Sequence, residues 1–230
     1  MFVMKQFIQK NSFLNIGVNK DLKNNSNKPD GHSGLSPIFQ RTLALIGVVL
    51  ISPLLILVAV LIRSESPGRA IFTQTRVGEN GRRFQFYKFR SMRILQDPKY
   101  VDTSEFKSDR NGVCNKFYND PRVTNIGKYI RKYSIDELPQ LINVVIGDML
   151  LVGPRPALTQ ESDQYSMVAR KRFNTTPGLT GLWQVSGRAD TSFEEQINLD
   201  VSYVEKQSVL SDLRILLATV PVVMFGKGAY

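Results

Sequence analysis

At 230 residues the chain has room for one ordinary domain with appendages, and its 42% apolar content is enough for a packed core. A formal charge of +10 points to a polyanionic partner, whether nucleic acid, anionic lipid or a phosphorylated substrate. A single cysteine, Cys114, excludes an internal disulfide and fits a reducing compartment; the single histidine, His32, argues against a Ser–His–Asp triad and a multi-histidine zinc site. Any general base, nucleophile or metal ligand is therefore expected among the carboxylates, and Cys114 reads as an ordinary thiol in a polar loop.

Residues 1–35 read as a weakly structured lead-in. Phe2, Ile8, Phe13, Leu14 and Ile16 give it the makings of a short surface helix, and Ser26–Gly34 is polar with Pro and Gly. No signal-peptide core followed by a small-residue cleavage site is present in it, and no internal repeat is visible in the chain.

The run Thr42–Ile62 carries no charge and has the length to cross a bilayer as a straight helix. Two features argue for something else. Ser52-Pro53 falls at its middle, where proline removes a backbone donor and bends or breaks a helix. Both flanks are basic: Lys20, Lys23, Lys28 and Arg41 precede the run, and Arg63, Arg69, Arg76, Arg82 and Arg83 follow it. Positive charge favours the cytoplasmic side at each end. A broken helix that dips in and returns meets both demands, and a bent single span remains the alternative. In either case a carbonyl freed at Pro53 needs the Ser52 hydroxyl or a packed neighbour as its donor.

Beyond the apolar run, Ala70–Val77 reads as a strand, Gly78-Glu79-Asn80-Gly81 as a turn and Phe84–Arg90 as the returning strand. Alternation places Phe84, Phe86, Lys88 and Arg90 on one face, apolar at its start and cationic at its end. Leu95–Arg122 is polar and punctuated by Asp97-Pro98 and Asp120-Pro121, so it reads mostly as loop. Leu138, Leu141, Ile142 and Val145 follow amphipathic helical spacing up to Gly147. Leu213–Phe225 is apolar, contains Arg214 and Pro221, and is too short to span; it suits a core or interfacial helix.

The residues most suited to chemistry are Ser134-Ile135-Asp136-Glu137-Leu138-Pro139. One reading is purely structural: Ser134 with Glu137 three residues on forms a capping box, and acids favour a helix N-terminus. The other uses the same physics for catalysis, because a helix N-terminus keeps a carboxylate ionised and collects phosphate. An ionised aspartate can attack phosphorus and form an acyl phosphate. Two unit charges about 4 Å apart interact by about 4 kcal/mol at an effective dielectric of 20, so two acids facing a diphosphate need cations. Lys88, Arg90, Arg131, Arg155 and Arg188 are the candidates, alongside a divalent ion; each taken singly also reads as a solvated surface charge. Arg155 stands out because Pro154 and Pro156 fix the backbone from which it projects.

From Gln74-Thr75-Arg76-Val77-Gly78 through Tyr87-Lys88-Phe89-Arg90-Ser91-Met92 the chain resembles the bacterial sugar transferase family, the monotopic polyprenyl-phosphate phosphoglycosyltransferases. The likeness continues in order through Asp120–Thr124, Asp136–Leu141, Gly147-Asp148-Met149, Val152–Pro156, Pro177–Val185 and Gly226–Tyr230, covering about residues 42–230.

The resemblance implies that Asp136 is the nucleophile and that Glu137 helps hold Mg²⁺ with it. It also implies that Arg131 and Arg155 serve substrate phosphates, and that Ser52-Pro53 is the break of a re-entrant membrane helix. The predicted fold class is α+β, a helix-rich catalytic domain over 67–230 with a small β-hairpin, anchored by a broken re-entrant helix over 36–66. The implied reaction moves a hexose 1-phosphate from a UDP-sugar to undecaprenyl phosphate and releases UMP, to begin exopolysaccharide, capsule or glycan assembly. UDP-glucose or UDP-galactose is the expected donor, and anionic lipid a further partner. The expected location is the bacterial inner membrane with the catalytic domain facing the cytoplasm.

One departure from the family pattern stands out. The family's Lys-Arg pair and aspartate before the membrane helix are replaced here by Ser36, Pro37 and Gln40, so anchoring at that boundary is expected to differ. A glycosyltransferase that releases UDP is the rival enzyme. A membrane-tethered polyanion-binding protein is the non-enzymatic rival, but no nucleic acid is expected, since only Trp183 and scattered Phe and Tyr are available for stacking.

Overall fold

The computed structural model describes residues 33–104, 106, 119–187 and 191–225. The surface helix expected in the lead-in, together with His32, Cys114, Arg188 and the closing Gly226–Tyr230, lies outside the described residues. The chain begins with α1 (Pro37–Glu65), β1 (Ile71–Val77), a 3₁₀ turn (Glu79–Gly81) and β2 (Arg83–Phe89). Next come α2 (Asn125–Lys132), a 3₁₀ turn (Ile135–Glu137), α3 (Gln140–Ile146), β3 (Leu150–Val152) and β4 (Ala157–Leu158). It ends with α4 (Thr159–Ser162), α5 (Met167–Arg170), a 3₁₀ turn (Lys171–Asn174), β5 (Gly178–Thr180), α6 (Leu182–Ser186), α7 (Phe193–Glu205) and α8 (Val209–Phe225).

The α+β class read from the sequence is the one the chain adopts. β1 lies between β2 and β4 in an antiparallel sheet, with Phe72 opposite Lys88 and Val77 opposite Ala157. β3 and β5 form a separate parallel pair. The hairpin turns where expected, with Asn80 at φ 52° and Gly81 at φ 77°. Phe84 and Phe86 alternate inward from β2 and pack with Val144, Met149, Val152, Leu182 and Tyr203 in the main core. β2 is also closed on its outer edge. Asn143 donates from Nδ2 to the Gln85 carbonyl at 2.7 Å and accepts from the Tyr87 N–H at 3.1 Å, which satisfies an otherwise open strand edge.

That use of Asn143 corrects the expected face of α3. Gln140, Asn143 and Val144 are buried while Ile142 is exposed, so the helix is rotated from the Leu138–Leu141–Ile142–Val145 stripe. Leu141 and Val145 still pack against the core from its margin.

α1 is a 29-residue helix, about 43 Å long, apolar enough to cross a membrane and mostly uncovered by the rest of the protein. Val49, Leu50, Leu54, Ile56, Leu57, Val60 and Leu61 are exposed in and beyond its middle, an apolar surface of the kind that marks a membrane or protein contact. Pro53 lies inside the helix and lacks the N–H that would have reached the Val49 carbonyl. The Ser52 hydroxyl donates to that same oxygen at 2.8 Å, as the sequence required.

Both ends of α1 pack on the same folded body. Near its start Ala44 joins the core with Val144, Met149 and Leu151; near its end Val58 and Ile62 cluster with Ala70, Phe89 and Ile130. Each end is also fastened by polar groups. Gln40, fully buried, donates to the Leu35 carbonyl at 2.7 Å and accepts from the Leu151 N–H at 2.9 Å and the Val152 N–H at 3.2 Å. Leu35 in turn donates to Asp212 of α8, which also accepts from the Tyr203 hydroxyl. At the other end Glu65 accepts from the N–H groups of Asn125 and Ile126 at 2.7 and 2.8 Å, capping α2. The departure at Gln40 therefore falls on a buried residue that splices the helix to β3.

The apolar C-terminal segment is part of α8, whose Asp212 and Ile215 are buried. Leu210, Leu213, Leu217, Val220 and Met224 form an exposed stripe along it at helical spacing.

Candidate functional site

Glu65 and the Thr124 hydroxyl, which accepts from the Gly127 N–H at 2.8 Å, fix the start of α2, and Arg131 lies in its last turn. The chain then reverses through Ser134, at φ 55°, into the short 3₁₀ turn that carries Asp136 and Glu137. Ser134 makes no capping hydrogen bond with its side chain. The capping-box reading fails for that reason: the serine is a left-handed turn residue, and the acids lie in the turn ahead of α3.

Asp136 is 8% exposed, and Glu137 beside it is half-buried. Arg155 donates from Nη2 to Glu137 Oε1 at 2.7 Å. Burial, and then the adjacent charge of Glu137, push the Asp136 carboxyl up to about 6; Lys88, Arg131 and Arg155 pull against them. Lys88 stands on β2 with its ammonium 5.5 Å from the centre of the Phe72 ring, and burial lowers its pKa while Asp136 pulls it back up. Burial disfavours the Arg155 charge too, but Glu137 and Asp136 outweigh it and hold the guanidinium firmly protonated.

Four predicted residues thus converge with Asp136: Glu137, Lys88, Arg131 and Arg155. Arg90 does not. β2 ends at Phe89, and the Arg90 guanidinium, itself buried, donates to the Arg69 carbonyl at 2.9 Å and to the Ser66 hydroxyl and carbonyl at 2.8 Å each. It ties the end of α1 to the sheet. Arg188 lies outside the described residues. Ser52 and Pro53 sit within α1, which runs as one continuous helix from Pro37 to Glu65 where a break was expected.

Arg155 is held by more than its flanking prolines. Gly153 and Gly178 let two backbones meet more closely than a side chain would permit, and the Gly178 N–H donates to the Pro154 carbonyl at 2.9 Å. Arg172 donates from Nη2 to the Arg155 carbonyl at 2.8 Å, and Arg76 from Nη1 to the Pro156 carbonyl at 3.3 Å. Arg76 also lies over the Phe86 ring. Sequence reasoning missed Arg76, Arg172 and its partner Asp200, because none lies beside the acids in the chain.

Among the described residues no cluster of three metal-ligating side chains occurs. Two adjacent carboxylates nevertheless fit Mg²⁺, which is commonly held by one or two carboxylates with substrate phosphates and water completing its shell. Asp136 and Glu137 are hard oxygen donors, and Arg155 on Glu137 is the kind of outer partner that orients a ligand.

A buried aspartate and a half-buried glutamate with three cations about them, on a body fastened to an apolar helix long enough to cross a membrane, suit a polyanionic ligand. The model of the bacterial sugar transferase family matches residues 32–226, and the chain belongs to that family. It is 47% identical over 193 residues to a galactosyl transferase, CpsE, of Streptococcus agalactiae, covering 81% of this chain and 41% of the relative. It is 38% identical over 197 residues to the exopolysaccharide production protein ExoY of Sinorhizobium fredii, covering 84% and 86%. It is also 36% identical over 210 residues to the UDP-glucose:undecaprenyl-phosphate glucose-1-phosphate transferase of Escherichia coli, covering 86% and 43%. The chain thus spans less than half of the streptococcal and E. coli relatives and most of ExoY.

Proposed function

We propose that the chain is a phosphoglycosyltransferase that moves a hexose 1-phosphate from UDP-glucose or UDP-galactose to undecaprenyl phosphate, for exopolysaccharide or related glycan assembly. The E. coli relative named for UDP-glucose and glucose-1-phosphate transfer to undecaprenyl phosphate, with the streptococcal relative named a galactosyl transferase, supports the donor and acceptor. The observation that carries the mechanism is Asp136: buried, facing the charges of Lys88, Arg131 and Arg155, and with no ion pair of its own among the described residues.

An Asp136 carboxylate oxygen attacks the sugar-bearing phosphorus of the donor. The bond from that phosphorus to the bridging oxygen breaks, and UMP leaves with the electron pair. A phosphate oxygen of the polyprenyl acceptor then attacks the same phosphorus, freeing the Asp136 carboxylate and leaving a lipid diphosphosugar. Lys88, Arg131 and Arg155 neutralise the phosphate charge that would otherwise repel the attacking carboxylate. Asp136 and Glu137 would hold Mg²⁺, which would supply further charge neutralisation.

In this reading α1 is re-entrant. Both of its ends rest on one body, both flanks are basic, and Arg41, Arg63 and Arg69 are exposed where anionic lipid headgroups would lie. The catalytic body then faces the cytoplasm from the inner membrane.

Kinetic order tests the proposal. Parallel initial-rate lines are expected when nucleotide sugar is varied at several acceptor concentrations. Without acceptor, the enzyme releases at most about one UMP per site and keeps sugar label in a hydroxylamine-sensitive form, as expected of an acyl phosphate. Intersecting lines, with no nucleotide released before acceptor is added, would overturn the covalent route, and release of UDP would select the rival glycosyltransferase. Topology is tested separately in a Cys114→Ser background. Cysteines placed at the exposed Ser33 and Arg69 should label from the same side, and labelling from opposite sides would establish a span.

A further inference from the structure

Arg172 is a buried arginine far from the acid pair in sequence, and its guanidinium makes three hydrogen bonds. Nη1 donates to the Tyr165 hydroxyl at 2.7 Å, and Nη2 donates both to Asp200 of α7 and to the Arg155 carbonyl. Arg172 is 7% exposed, Tyr165 7% and Asp200 not at all. The surroundings are apolar: Val77, Ala157, Ala169, Ile197 and Val201 with the Phe173 and Phe193 rings. Hydrophobic residues could fill such a place, and a buried ion pair there is weak support for stability, because desolvation offsets its Coulomb gain. Its retention calls for another reason.

The backbone it grips supplies one. Pro154-Arg155-Pro156 lies outside the strands, so each of its carbonyls needs a donor from elsewhere. Gly178 serves the first, Arg172 the second and Arg76 the third. Arg172 is the one that holds Arg155 itself, whose side chain ends on Glu137. A planar guanidinium can face a carboxylate, a hydroxyl and a carbonyl at once in fixed directions, which an ammonium cannot.

We propose that Arg172, locked by Asp200 and Tyr165, is a positioning residue that sets where the Arg155 guanidinium stands against Glu137 and the donor phosphates. Asp200 acts one step further back, by fixing Arg172. The inference rests on the reading of Arg155 as a phosphate-binding group, so that reading is tested first. Arg155→Ala in the full chain, in detergent or nanodiscs, should slow UMP release; a wild-type rate in this variant removes the ground for both.

The inference itself is tested by Arg172→Met combined with Asp200→Leu, which removes both charges and leaves neither unpaired. The expected result is a thermal midpoint near that of the wild type with kcat/KM for the nucleotide sugar down about 10- to 100-fold, as small misplacements cost. Placed in the Arg155→Ala background, the same pair should cost less than about threefold more, since residues acting through one another are not additive. A folded variant with wild-type kcat/KM overturns the proposal, as do losses that multiply in the Arg155→Ala background. If the double variant does not fold, Arg172→Lys decides the matter. It keeps the charge facing Asp200 but not the fork, and should lose about tenfold at an unchanged midpoint; unchanged kinetics would overturn the proposal.

Discussion

Asp136 and Asp200 are both buried aspartates near arginines, and burial is the main reason each is pushed up, to about 6 and about 7. A perturbed carboxyl is a pointer to function, but here the pointer falls on both. What separates them is how each is engaged. Asp200 is sealed from solvent and bonded to Arg172. Asp136 keeps a little exposure, sits beside a second acid and meets its cations through charge, while the nearest guanidinium hydrogen bond goes to Glu137 instead. One carboxylate is committed to holding structure, and the other stays available to a substrate.

The largest consequence of that difference is kinetic. Asp136→Asn should lower turnover by on the order of 10⁴-fold or more, as loss of a nucleophile does, without lowering the thermal midpoint. Above about pH 7, where Asp200 is ionised, Asp200→Asn should show the opposite weighting, a clear loss of midpoint because a buried guanidinium is left without its anion. Near-normal turnover in purified Asp136→Asn would erase the distinction and demote Asp136 to a metal ligand or base.

Glu137→Gln comes next. An amide still accepts from Arg155 but offers a poorer ligand to a hard cation. Activity at fixed Mg²⁺ should fall about 10- to 100-fold, the range seen when groups around a metal are altered, and the metal titration should move to higher concentration. A titration that overlays the wild type at full rate would leave Glu137 as the partner of Arg155 and nothing more.

The parts of this site that were legible in the sequence are those carried by neighbours in the chain. Asp136 beside Glu137, Lys88 on an alternating strand, Arg155 between prolines and Ser52 before Pro53 are local patterns with local physics. Arg90 shows where such reading stops. Alternation extended one residue too far carries it onto the catalytic face, whereas β2 ends at Phe89 and the side chain turns to Ser66. Ser134 misled for a related reason: Ser-x-x-Glu marks a cap only if the serine is extended, and here a tight reversal after α2 forces it left-handed. Asn143, Gln40 and Asp200 were out of reach because their partners, Gln85, Leu151 and Arg172, come from other elements. A polar residue inside an apolar pattern signals that a partner exists, not which one.

The last effect concerns the stability of the Asp200 pair across pH. The folded protein holds this carboxyl at about 7, against an ordinary value of 3.8 in an unfolded chain. Below about pH 4 both states are protonated, so the group contributes no slope. Between about pH 4 and 7 the unfolded chain has released the proton and the folded protein still binds it. The folded state then carries more protons, and this contribution to stability declines as pH rises through the window. Above about pH 7 both are ionised and the slope vanishes. Arg172→Met with Asp200→Leu lacks the group, so wild type should lose midpoint relative to it between pH 4 and 7. The scale is about 2–4 °C per kcal/mol for a chain of this size. Parallel curves would mean that Asp200 is ionised throughout this range. A wild-type advantage that grows with pH would mean that Arg172 holds the carboxyl below its ordinary value, and the likeness between the two aspartates would be gone.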